Sequence, residues 1–172
     1  VTVTDDGSGN LVDAETFTVT VDHLNTAPVL DAIGDRSVDE LATLSFTATA
    51  TDSDLPADTL TFSLDATALA QGMTITSGGD FSWTPTEAQG GSSYDATITV
   101  TDDGTPNLSA DETITITVNE VNVAPVLDAI GNQSVDEGTE LAFTVSAADG
   151  DDPVNTLTYS LAGAPSGAAI DA

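Results

Sequence analysis

An internal repeat with an offset of 97 residues constrains this chain more than any other feature. Residues 25–34 read NTAPVLDAIG, and residues 122–131 read NVAPVLDAIG. Compared without a gap, residues 1–64 and 98–161 are identical at 38 positions. A long fixed period predicts a tandem array of similar modules. We therefore expect three segments: the C-terminal part of one module (residues 1–24, the first segment), a complete module (25–121, the central segment) and the N-terminal part of another (122–172, the third segment).

Apolar and polar residues alternate along several stretches of the central segment. Ile98 and Val100 alternate with threonines, and so do Ile114, Ile116 and Val118; residues 44–50, 60–64 and 81–83 follow the same pattern. This period predicts strands with one buried face, whereas no segment shows a helical period. About seven short strands in one module predict an all-β fold, a β-sandwich of immunoglobulin or cadherin type. The blades of a β-propeller, the alternative, are shorter, at about 40 to 50 residues.

The charge balance is strongly acidic. The 172 residues include 29 Asp and Glu against one Lys or Arg, which gives a formal net charge of -28. Nucleic acids and anionic membrane surfaces are excluded as partners, because both are recognised by clustered Lys and Arg. No apolar stretch approaches the length of a membrane span, so we expect no direct membrane insertion of these residues. So many carboxylates point to salt or a divalent cation as counter-ion.

The acidic residues recur in clusters at predicted strand ends. One cluster is a D-x-D, found as 52–54 and again as 149–151; another begins at Asp102; a third is Glu40, repeated as Glu137. Alternate residues of a strand face the same way, so a D-x-D aims two carboxylates at one point. Hard cations such as Ca²⁺ take six to eight oxygen ligands, although the EF-hand pattern itself is not matched. Asp residues that cap solvated turns are the other interpretation.

The order of these motifs resembles the end of a cadherin repeat and its linker. Residues 100–109 (VTDDGTPNLS), a strand to Val118 and residues 119–125 (NEVNVAP) follow one another as in that family. Residues 149–153 (DGDDP) resemble its calcium loop, and Glu40 and Glu137 resemble its first-strand glutamate. The whole chain, including residues 81–85 (FSWTP), is similar to the cadherin-like, putative-Ig (dystroglycan-type) tandem modules of large bacterial surface proteins.

This resemblance implies calcium between consecutive modules. At the second junction, between the central and third segments, the implied ligands are Glu40, Asn119, Glu120, Asn122, Asp149, Asp151 and Asn155. At the first junction, between the first and central segments, they are Asp22, Asn25, Asp52, Asp54 and Asp102, and Glu137 repeats Glu40 in the third segment. The D-R-E of cadherins is replaced by residues 83–87 (WTPTE), where Glu87 is the one possible substitute. Fewer ligands imply fewer ions or weaker sites than in animal cadherins.

We therefore expect a non-enzymatic, calcium-binding structural repeat, the stalk of an adhesin-like protein on the bacterial cell surface or outside the cell. Its expected partners are the neighbouring modules of the same chain, and a cell-surface protein or glycan. A carbohydrate-binding accessory array of a secreted enzyme is the first alternative, which aromatic rings exposed on one sheet face would favour. A metal-free spacer is the second.

Overall fold

The computed structural model describes residues 1–171. The first segment contains the strands β1 (Thr2–Thr4) and β2 (Val12–Ala14), and the third contains β12 (Val126–Leu127) and β13 (Ala147–Ala148). The strands of the central segment are β3 (Val29–Leu30), β4 (Arg36–Asp39), β5 (Leu44–Thr47), β6 (Ala50–Thr51), β7 (Thr61–Leu64), β8 (Thr74–Ile75), β9 (Asp80–Trp83), β10 (Ser93–Thr101) and β11 (Ser109–Asn119). The expected all-β sandwich is confirmed.

The larger sheet of the central segment has the strand order β4-β11-β10-β7. β10 and β11 form a long antiparallel pair, whose apolar residues face the core and whose threonines face outward. Ile98 and Ile114 are fully buried, while Thr97 and Thr113 lie opposite each other with their hydroxyl oxygens 2.8 Å apart. The alternation in the sequence therefore predicted these strands and their buried faces correctly.

The opposite layer contains a three-stranded sheet, β5-β9-β8, and the pair β3-β6. The stretch predicted as one strand over residues 44–50 divides here into β5 and β6. Between them the Ala48 amide donates to the Gly79 carbonyl at 2.9 Å, and the Thr49 carbonyl accepts from the Asp31 amide at 2.9 Å. The chain thus changes pairing partner at residue 48, which is one reason why the central segment has nine strands instead of about seven.

The aromatic residues of β9 lie in the core. Phe81 and Trp83 are each 2% exposed. Phe46 stacks on Phe81 with ring centroids 4.5 Å apart, and the Trp83 indole N–H donates to the Gln71 carbonyl at 3.0 Å. The rings of Phe81 and Trp83 are therefore covered by protein and cannot stack on a sugar.

Two short helices depart from the expectation of none. One is α1 (Ala66–Ala70), and the other is a 3-10 turn over Glu87–Gln89. Asp65 begins α1 by accepting from the Thr67 amide at 2.9 Å. A helix of five residues is too short to show a 3.6-residue period in the sequence. Neither helix in residues 1–171 is long and apolar enough to cross a bilayer.

The 97-residue offset recurs in the hydrogen bonds. The Thr26 amide donates to Asp54 at 2.8 Å, and 97 residues later the Val123 amide donates to Asp151 at 2.9 Å. Strands β12 and β13 pair in the same register as β3 and β6. Repeated sequence thus forms repeated local structure, while the division into one complete and two partial modules stays a prediction.

Candidate metal centres at the segment junctions

Three glutamates of the central segment meet at the second junction. Glu40 follows β4, Glu87 begins the 3-10 turn and Glu120 follows β11. One carboxylate oxygen of each lies within 4.8 Å of the others. β4 and β11 pair in parallel with Asp39 opposite Asn119, so the next residue of each strand, Glu40 and Glu120, emerges at the same sheet end.

Glu40 is the most buried member of this cluster, at 4% exposure. Its Oε1 accepts from the Val121 amide at 3.0 Å, whereas its Oε2 is buried without a hydrogen-bond partner in residues 1–171. Burying a carboxylate oxygen without a donor or counter-ion is unfavourable. A bound cation would satisfy this oxygen.

Gly90 leaves room for these carboxylates. A Cβ atom placed on Gly90 would overlap Glu40 Oε2 and would lie 2.5 Å from Glu120 Oε2. The φ of Gly90 is -59°, which any residue can adopt, so the absence of a side chain matters here and not the backbone angle. The missing side chain of Gly90 therefore allows the carboxylates of Glu40 and Glu120 to approach each other closely.

The electrostatics of the cluster favour a cation. Burial, followed by the negative charges of Glu40 and Asp151, raises the pKa of Glu87. Burial and the charges of Glu40, Glu87 and Asp151 likewise raise the pKa of Glu120. Like charges in a partly desolvated site favour protonation, and a divalent ion would relieve the same repulsion.

The third segment contributes Asp151 to this junction. Asp151 is 3% exposed and accepts from the Val123 amide at 2.9 Å and from Asn155 Nδ2 at 2.5 Å. Its own amide donates to Asp149 Oδ1 at 3.1 Å. The D-x-D therefore caps its own loop and the linker, and it also places a negative charge beside the glutamates. The two interpretations of this motif, turn capping and cation binding, are compatible in one structure.

The first junction gathers three aspartates. Oxygens of Asp52, Asp54 and Asp58 lie within 4.8 Å of one another. Asp54 is 6% exposed, and the hydrogen bond from the Thr26 amide is the main cause of its lowered pKa. Burial and the charges of the surrounding aspartates raise the pKa of Asp58. One oxygen each of Asp52 and Asp58 is buried without a partner within the described chain.

Asp102 lies next to this cluster and is 2% exposed. Its Oδ1 accepts from the amides of Gly104 and Leu108, and its Oδ2 accepts from Asn25 Nδ2 at 3.1 Å. Asn25 Nδ2 also donates to the Pro106 carbonyl at 2.8 Å, which leaves Asn25 Oδ1 buried and without a partner in residues 1–171. The linker is thus tied to the Asp102 loop through one amide group.

The structure brings together most, but not all, of the residues that the sequence singled out. The carboxylate clusters and their neighbours include Glu40, Asp52, Asp54, Asp102, Glu120, Asp149 and Asp151. Asn119 uses its side-chain amide to bind Asp39, and Asn122 Oδ1 accepts from Asn155. Asp22 and Glu137 are exposed and belong to neither three-carboxylate cluster of the described residues.

Two cluster members were outside the predicted ligand set. Asp58 was visible beside the first D-x-D, and it corresponds to Asn155 in the other copy, so an oxygen-bearing side chain recurs at this position. Glu87 is the possible substitute for the missing D-R-E of cadherins. Its position depends on the 3-10 turn after Thr86, whose amide donates to Gln89 Oε1 at 2.9 Å, and no alternation in the sequence reveals that turn.

One protein family matches the sequence of the central segment. The family described as Putative Ig domain matches residues 27–119, which is more than half of the chain. The chain belongs to the Putative Ig domain family. This confirms the resemblance drawn from the motifs. No curated protein sequence matches the chain.

The chain is also similar to several solved structures. Drosophila N-cadherin EC1-4 is 22% identical with a TM-score of 0.50, and the alignment covers 69% of this chain and 30% of that one. Protocadherin gammaB7 EC3-6 is 22% identical with a TM-score of 0.49, covering 86% and 41%. A nucleoside hydrolase-related hypothetical protein from Saccharophagus degradans is 24% identical with a TM-score of 0.47, covering 55% and 26%. The chain spans less than half the length of each, and the N-cadherin likeness bears on the fold alone.

Proposed function

We propose that this chain is a non-enzymatic structural repeat in which Ca²⁺, bound at the junctions, holds neighbouring segments at a fixed angle. Glu40 carries the proposal, because its Oε2 is buried without a partner in the described residues and its carboxylate lies within 4.8 Å of those of Glu87 and Glu120. The donors around it are carboxylate oxygens, which suit Ca²⁺ better than metals that prefer nitrogen or sulfur.

The ligands of such an ion come from both sides of the second junction. Glu40, Glu87 and Glu120 belong to the central segment, whereas Asp151 belongs to the third. Without a cation these groups repel each other, and this repulsion is, after burial, a cause of the raised pKa values of Glu87 and Glu120. With a bound cation, the same carboxylates are attracted to the ion between them. Binding would therefore fix the relative orientation of the two segments.

Repeated along an array, such junctions would form a stiff stalk. Weak extracellular modules bind Ca²⁺ with Kd values of about 0.1 to 1 mM, which suits calcium levels outside the cell. We extend the proposal to an adhesin-like protein outside the cell or on the bacterial cell surface. Its partners are then neighbouring modules, and its adhesion target is a cell-surface protein or glycan.

A calorimetric titration with CaCl₂ after exhaustive chelation tests the calcium site. The wild-type chain should bind in the range given above, and Glu40→Gln should lose the second-junction site. Asp111→Asn removes the same amount of charge from an exposed position on β11 and should bind like the wild type. Equal calcium binding by Glu40→Gln and the wild type would refute this site, whereas no calcium binding by either protein would favour the metal-free spacer.

X-ray scattering tests the mechanical role. Calcium should make the molecule more extended, so that its maximum interatomic distance rises. It should also reduce the range of conformations, because the junctions stop bending. Glu40→Gln should show a smaller change at the same calcium concentration. A scattering profile that does not respond to calcium in the wild type would mean that packing alone sets the angle.

A further inference from the structure

An open groove of about 600 Å³ lies in the third segment. Asn122, Leu127 and Tyr159 are among the residues that line it. Leu127 is exposed and Tyr159 is only partly buried, so the groove presents apolar surface to solvent. Contiguous apolar surface next to polar residues is typical of a docking site. The repeat shows what kind of structure fits this one.

The same surface of the central segment is covered by the hairpin of β10 and β11. At an offset of 97 residues Tyr159 corresponds to Phe62, which lies opposite Val100 in the pairing of β7 with β10. Phe62 is 9% exposed, and Val100 is fully buried. Nearby, Asn25 Nδ2 donates to Asp102 Oδ2 in the turn of the hairpin at 3.1 Å. A hairpin with an Asp-Asp-Gly turn therefore fits this surface.

The first segment contains a second hairpin of this kind. Residues 2–7 and 99–104 have the identical sequence TVTDDG, and β1 pairs with β2 in the register of β10 with β11. Asp5 Oδ1 accepts from the amides of Gly7 at 3.2 Å and Leu11 at 3.0 Å, as the corresponding aspartate of the central hairpin does in its own turn. The turn of the β1–β2 hairpin is thus already formed.

The apolar face of β1 lies open to solvent. Val1 and Val3 are 83% and 65% exposed, whereas their counterparts Ile98 and Val100 are fully buried. One backbone edge of β1 is open as well, because β10 pairs with β11 and β7 while β1 pairs with β2 alone. An open strand edge can accept a strand from another molecule.

We infer that the β1–β2 hairpin of one copy docks into the third-segment groove of a second copy, where β1 pairs with residues 158–161. The inference goes beyond the proposed function and requires no metal. The register of β7 with β10, moved by 97 residues, places Val3 opposite Tyr159. Strand addition of this type combines main-chain hydrogen bonds with apolar side chains in a groove.

The polar contacts of the central hairpin also have counterparts across the inferred contact. In the central segment Asn25 donates to Asp102, and the Thr59 amide donates to Asp103 at 2.7 Å. The donors recur in the third segment and the acceptors in the first, with no change of residue type: the donors are Asn122 and Thr156, and the acceptors are Asp5 and Asp6. The repeat thus provides both halves of the contact.

The hairpin and the groove adjoin different junctions, which favours a second copy as the partner. The loop of Asp102, at the first junction, and Glu120, at the second, lie at the two ends of β11. The eleven residues of β11 span about 36 Å. A donor surface near one end and an acceptor surface near the other produce head-to-tail contacts, which form open chains of copies and not a closed dimer.

Two features oppose this association. Each copy has a formal net charge of -28, so two copies repel each other unless salt screens their charges. Screening shortens the Debye length from about 10 Å at 0.1 M salt to about 3 Å at 1 M. The first and third segments together also lack a counterpart of β9, whose Phe81 and Trp83 fill the core of the central segment. We therefore expect weak association that strengthens with salt.

Sedimentation equilibrium of the full chain in chelator and about 1 M NaCl tests the inference. The average mass should rise above the monomer value of 17.3 kDa as the protein concentration increases. Val3→Asp and Tyr159→Asp should each weaken association about tenfold or more, because the contact would bury an unpaired charge. Thr2→Asp is the matched control: it adds the same charge to the other face of β1 and should associate like the wild type.

A mixture of the two variants provides a second measurement. Val3→Asp retains an intact groove, and Tyr159→Asp retains an intact hairpin. An equimolar mixture should therefore form a 1:1 complex, although neither variant associates alone. Formation of that complex would also show that the surface retained by each variant is folded.

A wild type that stays monomeric at every concentration would overturn the inference. So would association that both variants retain, or a mixture that does not form the complex. A monomeric wild type whose melting temperature falls in both Val3→Asp and Tyr159→Asp would show that the hairpin fills the groove of its own copy. Because these measurements are made in chelator, their failure leaves the calcium proposal unaffected, and a failed calcium titration leaves this inference unaffected.

Discussion

Asp151 Oδ1 accepts a hydrogen bond from the backbone amide of Val123 at 2.9 Å, and this bond connects the D-x-D loop of the third segment to the linker that precedes it. The same contact joins Asp54 to Thr26 at 2.8 Å, 97 residues earlier. In both copies the aspartate therefore positions the linker and presents negative charge to a junction. The proposed cation binding would therefore be coupled to the geometry of the linker through this one side chain.

Calcium should raise the melting temperature of the chain. A ligand that binds the folded state alone stabilises it by about 2.7 kcal/mol when its concentration is a hundred times Kd. Differential scanning calorimetry with increasing CaCl₂ should show a rising melting temperature, reduced in Glu40→Gln. The control is NaCl at matched ionic strength. If sodium produced the same increase, charge screening would explain the effect without a site.

The metal-free protein should lose stability as pH rises above mildly acidic values. The pKa values of Glu87 and Glu120 are raised above their ordinary value of 4.5 by burial and by neighbouring carboxylates. A group whose pKa is higher in the folded state stabilises fully below its unfolded pKa, and this contribution is lost as pH rises through the folded pKa. Asp54 acts in the opposite sense, because its pKa is lowered from the ordinary value of 3.8. It stabilises the folded state above pH 3.8, and this stabilisation is lost as the pH falls through the lower pKa of the folded state.

Urea denaturation of chelator-treated protein between pH 4 and 8 measures this dependence. We expect the free energy of unfolding to be largest at mildly acidic pH and to decline from about pH 4.5 upward. The double variant Glu87→Gln, Glu120→Gln should flatten the decline, and calcium should remove it in the wild type. Stability that rises steadily to pH 8 without metal would contradict the cause assigned to these pKa values.

Gly90→Ala should weaken calcium binding while leaving the fold intact. The added methyl group would overlap Glu40 Oε2, yet the backbone angle of Gly90 suits alanine. The carboxylates would have to separate, so we expect the calcium Kd to rise about tenfold or more, measured by calorimetry. Gly78→Ala is the matched control, because a Cβ there meets Thr76 Oγ1 at an ordinary 3.8 Å. Equal calcium binding by both variants would show that the space beside Gly90 plays no part in the site.

Local patterns in the sequence predicted the strands better than they predicted which side chains meet at the junctions. Alternation identified the buried faces of β10 and β11, because burial of one sheet face has a direct period-two signature. It could not show that β4 runs parallel to β11, and that pairing brings Glu40 beside Glu120. Glu87 joins them through a 3-10 turn of three residues, which leaves no periodic signal. Juxtapositions made by tertiary pairing thus lay beyond local patterns, whereas the D-x-D loops, which are local, were recognised.

The double change Asp149→Asn and Asp151→Asn should separate charge from turn formation at the second junction. Asparagine keeps a side-chain oxygen that can still accept from the amides of Val123 and Asp151, so the loop should keep its hydrogen bonds. The negative charge beside Glu87 and Glu120 is removed, so without metal the stability should be equal to or greater than that of the wild type. Calcium binding at this junction should fall sharply, because neutral oxygens offset less of the ion's lost hydration.

Calorimetry and urea denaturation in chelator measure the two effects. Retained calcium binding with reduced stability in chelator would instead show that these aspartates serve the turn alone and that the metal assignment to them is wrong.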